Sequence, residues 1–481
     1  MSYRDMRDFL AVLEQQNCLK RITREVDRNW EIACLAKWMY QALPVEERFG
    51  FYFDNVRGSK IPVITGALGA SPKGVALALQ CEVHEINDKV IDALRNPHKP
   101  KLVNSGICQE VVLTGDQARL DRLPIVTWTP GKDRGPYITT VVVTRNHDTG
   151  VPNLGVYRTM VRDPHSVVIN IRPGRQGFRN VKTWHDKGKT APIAWVIATE
   201  PVVHLATVAN LAYGRNEMDF AGGLKGEPIE LVRCMTVDMH VPATAEFIIE
   251  GEIVPGEFDD EGPFGEFAGY MGPVGKRPVG KITAITHRQE PIFYGYTSQM
   301  PPSESTTIQS LMNAGVILQM MRDNIGDQAV HDVWIDLTFG GMLAHGIVAI
   351  TPEFPDHGKR VGRTIADITP LKRITVVDAD IDIRDPSHVD WALNSRFSPQ
   401  RDTVVINDCH VSIETDPSLR DGRGNQTPGS KLVLDATQKI DCGPFSLPPK
   451  DIMMKALNVW KECSLPEFTI PKRARLRLEK S

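Results

Sequence analysis

The feature that most constrains the fold is a series of short, β-branched segments in the middle of the chain. They occur between residues 138 and 300 and are separated by Gly, Pro or Asn, which end strands and form turns. The segments are 138–144, 167–171, 193–198, 247–254, 282–286 and 292–297. This many strands with few long helices predicts a β-barrel or a β-sandwich.

The two flanks of this region alternate between helix and strand patterns. An apolar stripe within 6–13 fits an amphipathic helix, and 373–378 fits a buried strand. We therefore predict an α/β (α+β) chain whose last helix has an apolar face over 452–460. The predicted domains are an N-terminal α/β domain (1–110), a central β-rich domain (111–300) and a C-terminal α/β domain (301–481).

Charge and cysteine usage exclude several classes of protein. The 56 Lys and Arg nearly balance the 59 Asp and Glu, which argues against nucleic acid as a partner. No apolar run approaches the roughly 20 residues of a membrane-spanning helix, and the N-terminus lacks a signal-peptide pattern. The eight cysteines form no C-x-x-C pair, as expected of reduced thiols. We predict a soluble, cytoplasmic enzyme.

The densest polar cluster is the acidic turn, residues 259–266 (DDEGPFGE). Its two glycines and its proline exclude a regular helix, so Glu261 and Glu266 project from a turn. Partial burial raises the pKa of a carboxyl toward neutrality, which suits proton transfer. The alternative is an acidic surface loop, although Phe264 and Tyr270 are unusual for a fully solvated one.

Two further segments carry candidate site residues. In 153–158 (NLGVYR), Asn153 and Arg158 would point to opposite faces of a regular strand unless a bulge realigns them. Arginine near a carboxylate holds it ionised, and asparagine amides are good metal or phosphate ligands. The basic stretch 172–189 begins with RPGRQGFR, a turn that suits a phosphate, a solvated loop or a subunit contact.

Together these segments resemble the UbiD-like decarboxylases, which use prenylated FMN. The resemblance rests on EGPFGE in the acidic turn and on NLGVYR, and it continues in family order over nearly the whole chain. The further motifs are EMDFAGGLKGE at 217–227, VPATAE at 241–246, DADID at 378–382 and GSKLVLDAT at 429–437.

The resemblance implies a reversible, non-oxidative decarboxylase of an aromatic, heteroaromatic or α,β-unsaturated acid, with a split-barrel flavin-binding domain in the middle. Loss of CO₂ from an sp² carbon leaves a carbanion that needs an electron-sink cofactor. By position, Glu266 is the expected proton donor, and Arg158 and Glu261 orient it. Gln309 suggests a polar substituent on the substrate, unless it is simply a glutamine on a helix surface. The basic stretch 172–189 could also face the phosphate of an aromatic acyl-CoA substrate.

The resemblance also implies a set of cofactor ligands. A divalent metal (Mn, Fe or Mg) is expected at Asn153, Glu217 and a His, and a potassium ion beside Ala206 and Thr207. No His occurs within 172–176, where the family's third ligand is expected. We hypothesise that an arginine there replaces the metal beside the flavin phosphate; the alternative is that another His completes the site. The expected cofactor-binding residues are Asn153, Gly155, Val156, Tyr157, Arg158, Arg172, Arg175, Gln176, Ala206, Thr207 and Glu217.

The acidic turn and the basic stretch are thus expected at the two ends of one flavin. Expected partners are the small acid substrate, a flavin prenyltransferase that supplies the cofactor, and further copies of the chain in a dimer or hexamer. Two other functions stay open: a prenyl-FMN carrier without turnover, which would need no proton donor, and a metal-dependent hydrolase, which would need His ligands near the acidic turn.

Overall fold

The structure is a computed structural model, and it describes residues 2–212, 214–339, 341, 344–411, 416, 418–419 and 426–479. The chain divides into two compact units. The first comprises Met1–Val316 and Leu337–Gly341, and the second Ile317–Asp336 and Met342–Ser481. Each unit is described by itself below.

The first unit contains helices α1 to α7 and the start of α8. The predicted apolar stripe of α1 is buried, and Asp5 caps this helix by accepting a hydrogen bond from the Asp8 backbone N–H. The helices are α1 (Met6–Gln15), α2 (Glu31–Ala42), α3 (Pro72–Leu79), α4 (Ile86–Arg95), α5 (Gln176–His185), α6 (Pro201–Ala206), α7 (Glu217–Lys225) and α8 (Glu304–Gln319).

The described residues of the same unit form eighteen strands, and most of the long strands lie where the sequence predicts them. They are β1 (Leu19–Ile22), β2 (Gly50–Phe53), β3 (Val63–Thr65), β4 (Lys101–Leu102), β5 (Val111–Thr114), β6 (Tyr137–Ile138), β7 (Val141–Arg145), β8 (Pro152–Val156), β9 (Thr159–Asp163), β10 (Ser166–Ile169), β11 (Ala191–Ile197), β12 (Glu230–Arg233), β13 (His240–Pro242), β14 (Phe247–Glu261), β15 (Phe264–Gly265), β16 (Met271–Gly272), β17 (Gly275–His287) and β18 (Phe293–Tyr294).

A strongly curled, antiparallel half-barrel forms the centre of this unit, which confirms the predicted β-rich core. Its strand order is β6-β9-β10-β17-β14-β11-β7-β8, with β5 also paired to β17. Smaller sheets have the orders β1-β2-β3-β18 and β13-β12-β4. β4 of the predicted first domain pairs with β12 of the predicted second domain, and β18 of the second pairs with β3 of the first. The exact domain boundaries stay a prediction.

The long hairpin of β14 and β17 positions the acidic turn. Glu261 is the last residue of β14 and pairs with Gly275, the first of β17. The connection between them folds back on itself, because β15 and β16 pair Phe264 with Gly272 and Gly265 with Met271. The acidic turn is therefore the tip of a sheet hairpin and has a defined geometry.

The second unit is an α/β layer with a five-stranded sheet, in the order β19-β20-β21-β23-β22. The predicted strand 373–378 is β21, with the same bounds. The strands are β19 (Val330–Ile335), β20 (His345–Ile350), β21 (Arg373–Asp378), β22 (Thr403–Cys409) and β23 (Gly429–Ala436). The helices are α9 (His357–Ile368), α10 (Pro386–Ser395), α11 (Pro399–Asp402), α12 (Lys450–Glu462) and α13 (Lys472–Leu478).

Helix α12 contains the predicted apolar face 452–460. No residue of α12 is buried, and Ile452, Val459 and Trp460 are exposed. Assembly through this face stays a prediction. None of the helices in the described part of the chain is long and apolar enough to cross a membrane.

Candidate active site

Arg158 lies in the short connection between β8 and β9, whereas Asn153 lies within β8. The two residues do not lie on one regular strand, because β8 ends at Val156. The two side chains reach different carboxylates: Asn153 bonds to Glu217, and Arg158 bonds to the acidic turn.

Arg158 bridges the two glutamates of the acidic turn. Its Nε and Nη2 donate to Glu261 Oε1 and Oε2 at 2.8 and 3.0 Å, and its Nη1 donates to Glu266 Oε1 at 2.7 Å. The side chains of Arg158, Glu261 and Glu266 are 9%, 1% and 15% exposed. Burial alone would lower the pKa of Arg158, but the charge of Glu266 and the contacts to Glu261 outweigh it and raise that pKa.

Aromatic groups form one wall of this cluster. The Phe264 ring lies 5.0 Å from the Arg158 guanidinium carbon and 4.3 Å from the Tyr137 ring. The Tyr137 hydroxyl accepts the backbone N–H of Gly262 at 3.2 Å. Phe264 is buried, which agrees with a site rather than a solvated loop, whereas Tyr270 is exposed.

A second guanidinium also reaches Glu266. Arg172 donates from Nη2 to Glu266 Oε1 at 3.0 Å and from Nε to Asn170 Oδ1 at 3.1 Å. The same Asn170 oxygen accepts Arg277 Nε at 2.8 Å. The pKa of Arg277 is lowered by burial and by the charges of Arg172 and Arg158. Three arginines thus gather around two glutamates.

The expected placement of the basic stretch at the far end from the acidic turn is wrong for Arg172. β10 pairs with β17, and Val168 lies opposite Val279. Continued by two residues, this register brings Asn170 opposite Arg277, which itself pairs with Asp259 near the tip of the hairpin that carries the acidic turn. Sequence reasoning missed both Asn170 and Arg277, since no motif marks a residue whose role depends on strand register.

A second polar group forms around Glu217, the first residue of α7. Glu217 accepts Asn153 Nδ2 at 3.0 Å and the Leu154 backbone N–H at 3.1 Å. Tyr157 donates to Asn153 Oδ1 at 3.2 Å and accepts the Gly177 backbone N–H at 3.0 Å. Burial raises the pKa of Glu217, and none of the described Lys or Arg side chains forms an ion pair with it.

Tyr157 is held between two glycines. A Cβ on Gly155 would lie 2.6 Å from the Tyr157 ring, and a Cβ on Gly177 would lie 2.7 Å from its hydroxyl. Only glycine fits at these two positions with the ring where it is. Tyr157 therefore joins the Asn153–Glu217 group to the first turn of α5.

The remaining predicted residues lie at element ends. Arg175 is the N-cap of α5 and Gln176 its first residue; Ala206 ends α6, and Thr207 donates to the Val203 carbonyl at 2.7 Å. Gln309 lies on α8, with its amide oxygen 3.0 Å from where a Cβ on Gly341 would be. The described side chains include no group of three or more His, Cys, Asp or Glu arranged to bind a metal.

Family models match most of the chain in three consecutive parts. They are the N-terminal domain of 3-octaprenyl-4-hydroxybenzoate carboxy-lyase over residues 10–94, its Rift-related domain over 101–301 and its C-terminal domain over 306–436. An uncharacterized protein of Synechocystis sp. (strain ATCC 27184 / PCC 6803 / Kazusa) is 30% identical over 466 residues, covering 91% of this chain and 90% of the relative.

Solved structures match over the same extent. An evolved dimeric form of the UbiD-class enzyme HmfF from Pelotomaculum thermopropionicum, in complex with prFMN, is 31% identical with a TM-score of 0.80, covering 93% of this chain and 97% of that chain. The vanillic acid decarboxylase of Sedimentibacter hydroxybenzoicus in closed form is 27% identical with a TM-score of 0.82, covering 96% of this chain and 99% of that chain.

Proposed function

This chain belongs to the UbiD family of carboxy-lyases, and we propose that it is a prenylated-FMN-dependent decarboxylase of an aromatic, heteroaromatic or α,β-unsaturated acid. The observation that carries the proposal is the buried bridge from Glu261 through Arg158 to Glu266. A carrier protein would need no such proton-donating group. The family also disfavours a metal-dependent hydrolase.

The contacts of the two glutamates support different roles for them. Both oxygens of Glu261 accept from Arg158, so this carboxylate is fully engaged and suited to hold the arginine. Glu266 receives its guanidinium contacts on Oε1, and its Oε2 makes no hydrogen bond to any described residue. Glu266 is also the more exposed of the two. We therefore assign the proton to Glu266 Oε2.

Decarboxylation consumes one proton, because the carboxylate leaves as neutral CO₂ and its carbon takes up a hydrogen. Prenylated FMN, when bound, supplies the electron sink for breaking the carbon–carbon bond. Glu266 then delivers the proton to that carbon and is reprotonated from water. Arg158 holds Glu266 in position, and the Phe264 ring excludes water from one side of the pair.

The residues around Tyr157 fit a flavin phosphate and a cation. Arg175 and the N-terminus of α5 offer a positive end to an anion. The oxygens of Asn153 and Glu217 are the donors that a hard divalent cation prefers. Replacement of this metal by Arg175 stays a hypothesis, and one tightly bound Mn, Fe or Mg per chain in elemental analysis of the holoprotein would contradict it.

Several finer assignments are part of the same proposal. Three of them rest on the sequence resemblance: the potassium ion beside Ala206 and Thr207, a polar substituent facing Gln309, and assembly through α12. A CoA ester rests on the basic stretch 172–189, and a cytoplasmic location rests on the cysteine usage. The relative in complex with prFMN is a dimeric form, which supports both the cofactor and self-association.

The test is a screen of holoprotein produced with a flavin prenyltransferase against a panel of acids. The panel contains vanillate, furan carboxylates, cinnamates and aromatic acyl-CoA esters that carry a free carboxylate. Product formation and exchange of the product C–H with D₂O are both measured. We expect Glu266→Gln to keep the flavin spectrum and to lose both reactions.

The matched control is Glu257→Gln, which removes a carboxylate of a surface ion pair with Lys281 on the same hairpin. It should retain both reactions. Turnover by Glu266→Gln at the wild-type rate would remove Glu266 from the proposed role. Absence of turnover and of exchange by wild-type holoprotein across the panel would contradict the proposed function.

A further inference from the structure

Gln299, in the connection from β18 to α8, packs directly against the acidic turn. A Cβ on Gly265 would lie 2.8 Å from Gln299 Cγ and 2.9 Å from its Cβ and Cδ, so the Gly265 backbone rests on this side chain. Further along the chain, a Cβ on Gly269 would lie 2.8 Å from the Met300 sulfur. The connection therefore supports the backbone both before and after Glu266.

The backbone of Gln299 has a conformation that side chains rarely adopt. Its φ is +83°, in the left-handed region that favours glycine, and the residue is 2% exposed. A residue keeps such a conformation only where the surrounding contacts determine it. The neighbours of Gln299 therefore fix where its side chain lies.

Two hydrogen bonds orient the amide of Gln299. Its Oε1 accepts Lys37 Nζ at 2.7 Å and also accepts the Thr129 hydroxyl. A flipped amide would turn its N–H₂ group toward the Lys37 ammonium, which has no acceptor. Only the orientation with the amide oxygen toward Lys37 satisfies both partners.

A buried acid, Asp133, adjoins the same amide. Its Oδ2 accepts the Thr129 backbone N–H at 2.6 Å. Burial raises the pKa of Asp133 to about 6, and its neighbours Thr129, Lys37 and Gln299 oppose that rise. The amide of Gln299 therefore contacts a buried amine through its oxygen and adjoins a buried acid.

Helix α2 holds both ends of the segment 299–301. Lys37 and Gln41 are one turn apart and lie on the same face of this helix. Lys37 contacts the first residue of the segment, and Gln41 Nε2 donates to the carbonyl of its last residue, Pro301, at 3.1 Å. The support of the acidic turn thus extends from Gly265 through Gln299 to α2.

The charge of Lys37 contributes to this support. Lys37 makes no ion pair with any carboxylate of the described residues, and its hydrogen bond goes to Gln299. Burial lowers the pKa of Lys37 to about 8, although the nearby Asp133 and Cys34 oppose the change. Loss of the charge should therefore weaken the contact that orients Gln299.

We propose that Gln299 is a positioning residue for Glu266 and that Lys37 orients it. This inference rests on the proposed function. Arg158 holds Glu266 by its carboxylate, whereas Gln299 supports the neighbouring backbone at Gly265. A displacement of about 1 Å at a reacting group can lower the rate about 100-fold. Loss of this support should therefore lower kcat and leave KM for the acid and flavin binding nearly unchanged.

The first test exchanges the sizes of the two residues in contact, using holoprotein and the panel acid with the highest kcat/KM. Gly265→Ala places a Cβ within 3 Å of the Gln299 side chain and should lower kcat about 10- to 100-fold. Gln299→Gly removes the three atoms that this Cβ would meet, suits the positive φ and should lower kcat about 10-fold. The double variant should have a kcat at least about threefold above that of Gly265→Ala.

The matched control is Gly135→Ala, whose Cβ would have its nearest atom at 3.9 Å and whose kcat should equal that of wild type. In the single and double variants, KM and bound flavin per chain should stay within about threefold of wild type. The exchange of the product C–H with D₂O should fall in parallel with kcat. Additive losses in the double variant would overturn the proposal. A raised KM at constant kcat in Gln299→Gly would also overturn it, by assigning Gln299 to substrate binding.

The second test removes the charge of Lys37 without changing its contact with Gly265. Lys37→Met keeps the length of the side chain but cannot donate to Gln299, so kcat should fall about 10-fold at pH 7. Wild-type Lys37 itself loses its charge as the pH rises through about 8. The kcat ratio of wild type to Lys37→Met should therefore decrease between pH 7 and about 9.

Both proteins in this comparison carry Cys34→Ser, which removes the other titratable group on α2 beside Lys37. Asp133 has a pKa of about 6 and titrates below the window. The control is Lys101→Met, which removes an exposed lysine paired with Glu230 and should match wild type at every pH. A constant ratio of wild type to Lys37→Met across the window would overturn the role of Lys37.

The two levels of proposal fail differently. If the chain is not a decarboxylase, wild-type holoprotein shows neither decarboxylation nor product exchange. If only the role of Gln299 is wrong, wild-type holoprotein shows both reactions, and the losses of Gly265→Ala and Gln299→Gly add in the double variant.

Discussion

Replacing Glu261 should disturb the position of Arg158 while leaving the proposed proton donor, Glu266, in the chain. The substitution therefore tests the positioning role apart from proton donation. Glu261 is 1% exposed and accepts two hydrogen bonds from Arg158, at 2.8 and 3.0 Å. In Glu261→Gln the side chain keeps one acceptor oxygen, but its amide N–H₂ faces a guanidinium N–H, so one contact becomes a clash of donors. The negative charge next to Arg158 is lost at the same time.

The magnitude follows from these two contacts. A hydrogen bond to a charged group contributes about 1.5–3 kcal/mol, and breaking a buried ion pair costs about 3–5 kcal/mol. Because Glu266 remains as a partner of Arg158, we expect the variant to lose about 2–4 kcal/mol of the interaction free energy that holds Arg158 in place. If that loss falls on the transition state, kcat decreases about 30- to 1,000-fold. Arg158 would then turn toward Glu266 and occupy the oxygen that should carry the proton.

The assay is steady-state turnover at saturating acid, with flavin content measured by absorbance in the same preparation. A double-mutant cycle with Arg158→Met assigns the effect to the pair, because the loss in the double variant should be smaller than the sum of the single losses. A kcat of Glu261→Gln within threefold of wild type, at normal flavin content, would refute this reasoning. If the losses of the two single variants simply add in the double variant, the assignment of the effect to Arg158 is refuted.

Two further predictions concern the Tyr157 contacts and the pH dependence of stability. Gly155→Ala places a Cβ 2.6 Å from the Tyr157 ring and should lower the amount of bound flavin per chain. The control is Gly135→Ala, whose Cβ would have its nearest atom at 3.9 Å and should leave the flavin content unchanged. Equal flavin content in the two variants would contradict the packing argument. Burial raises the pKa of Asp133 from 3.8 to about 6, so its folded form holds a proton that its unfolded form releases. The stability of wild-type protein relative to Asp133→Asn should therefore fall as pH rises from about 4 to about 6, measured as the urea midpoint; a constant difference across that window would contradict the burial effect.

The sequence was sufficient for elements whose signal is local. The stripe of α1, the strand β21 and the turn that carries Glu261 and Glu266 each follow from periodicity or from Gly and Pro within a few residues. The pairing of Arg158 with these glutamates came only from the family resemblance. Arg158 lies 103 residues before Glu261 and 108 residues before Glu266 along the chain. No local sequence pattern spans such distances.

Residues that the sequence did not predict share one cause, which is strand register. Asn170 and Arg277 meet because β10 and β17 pair antiparallel with Val168 opposite Val279. A shift of one residue would turn Asn170 to the other face of the sheet and remove the anchor of Arg172. The contact between Arg172 and Glu266 depends in turn on that anchor, so the second guanidinium of the site is a property of the sheet rather than of any motif. This is why an arginine that the sequence assigned to a phosphate-binding stretch contacts the proposed proton donor.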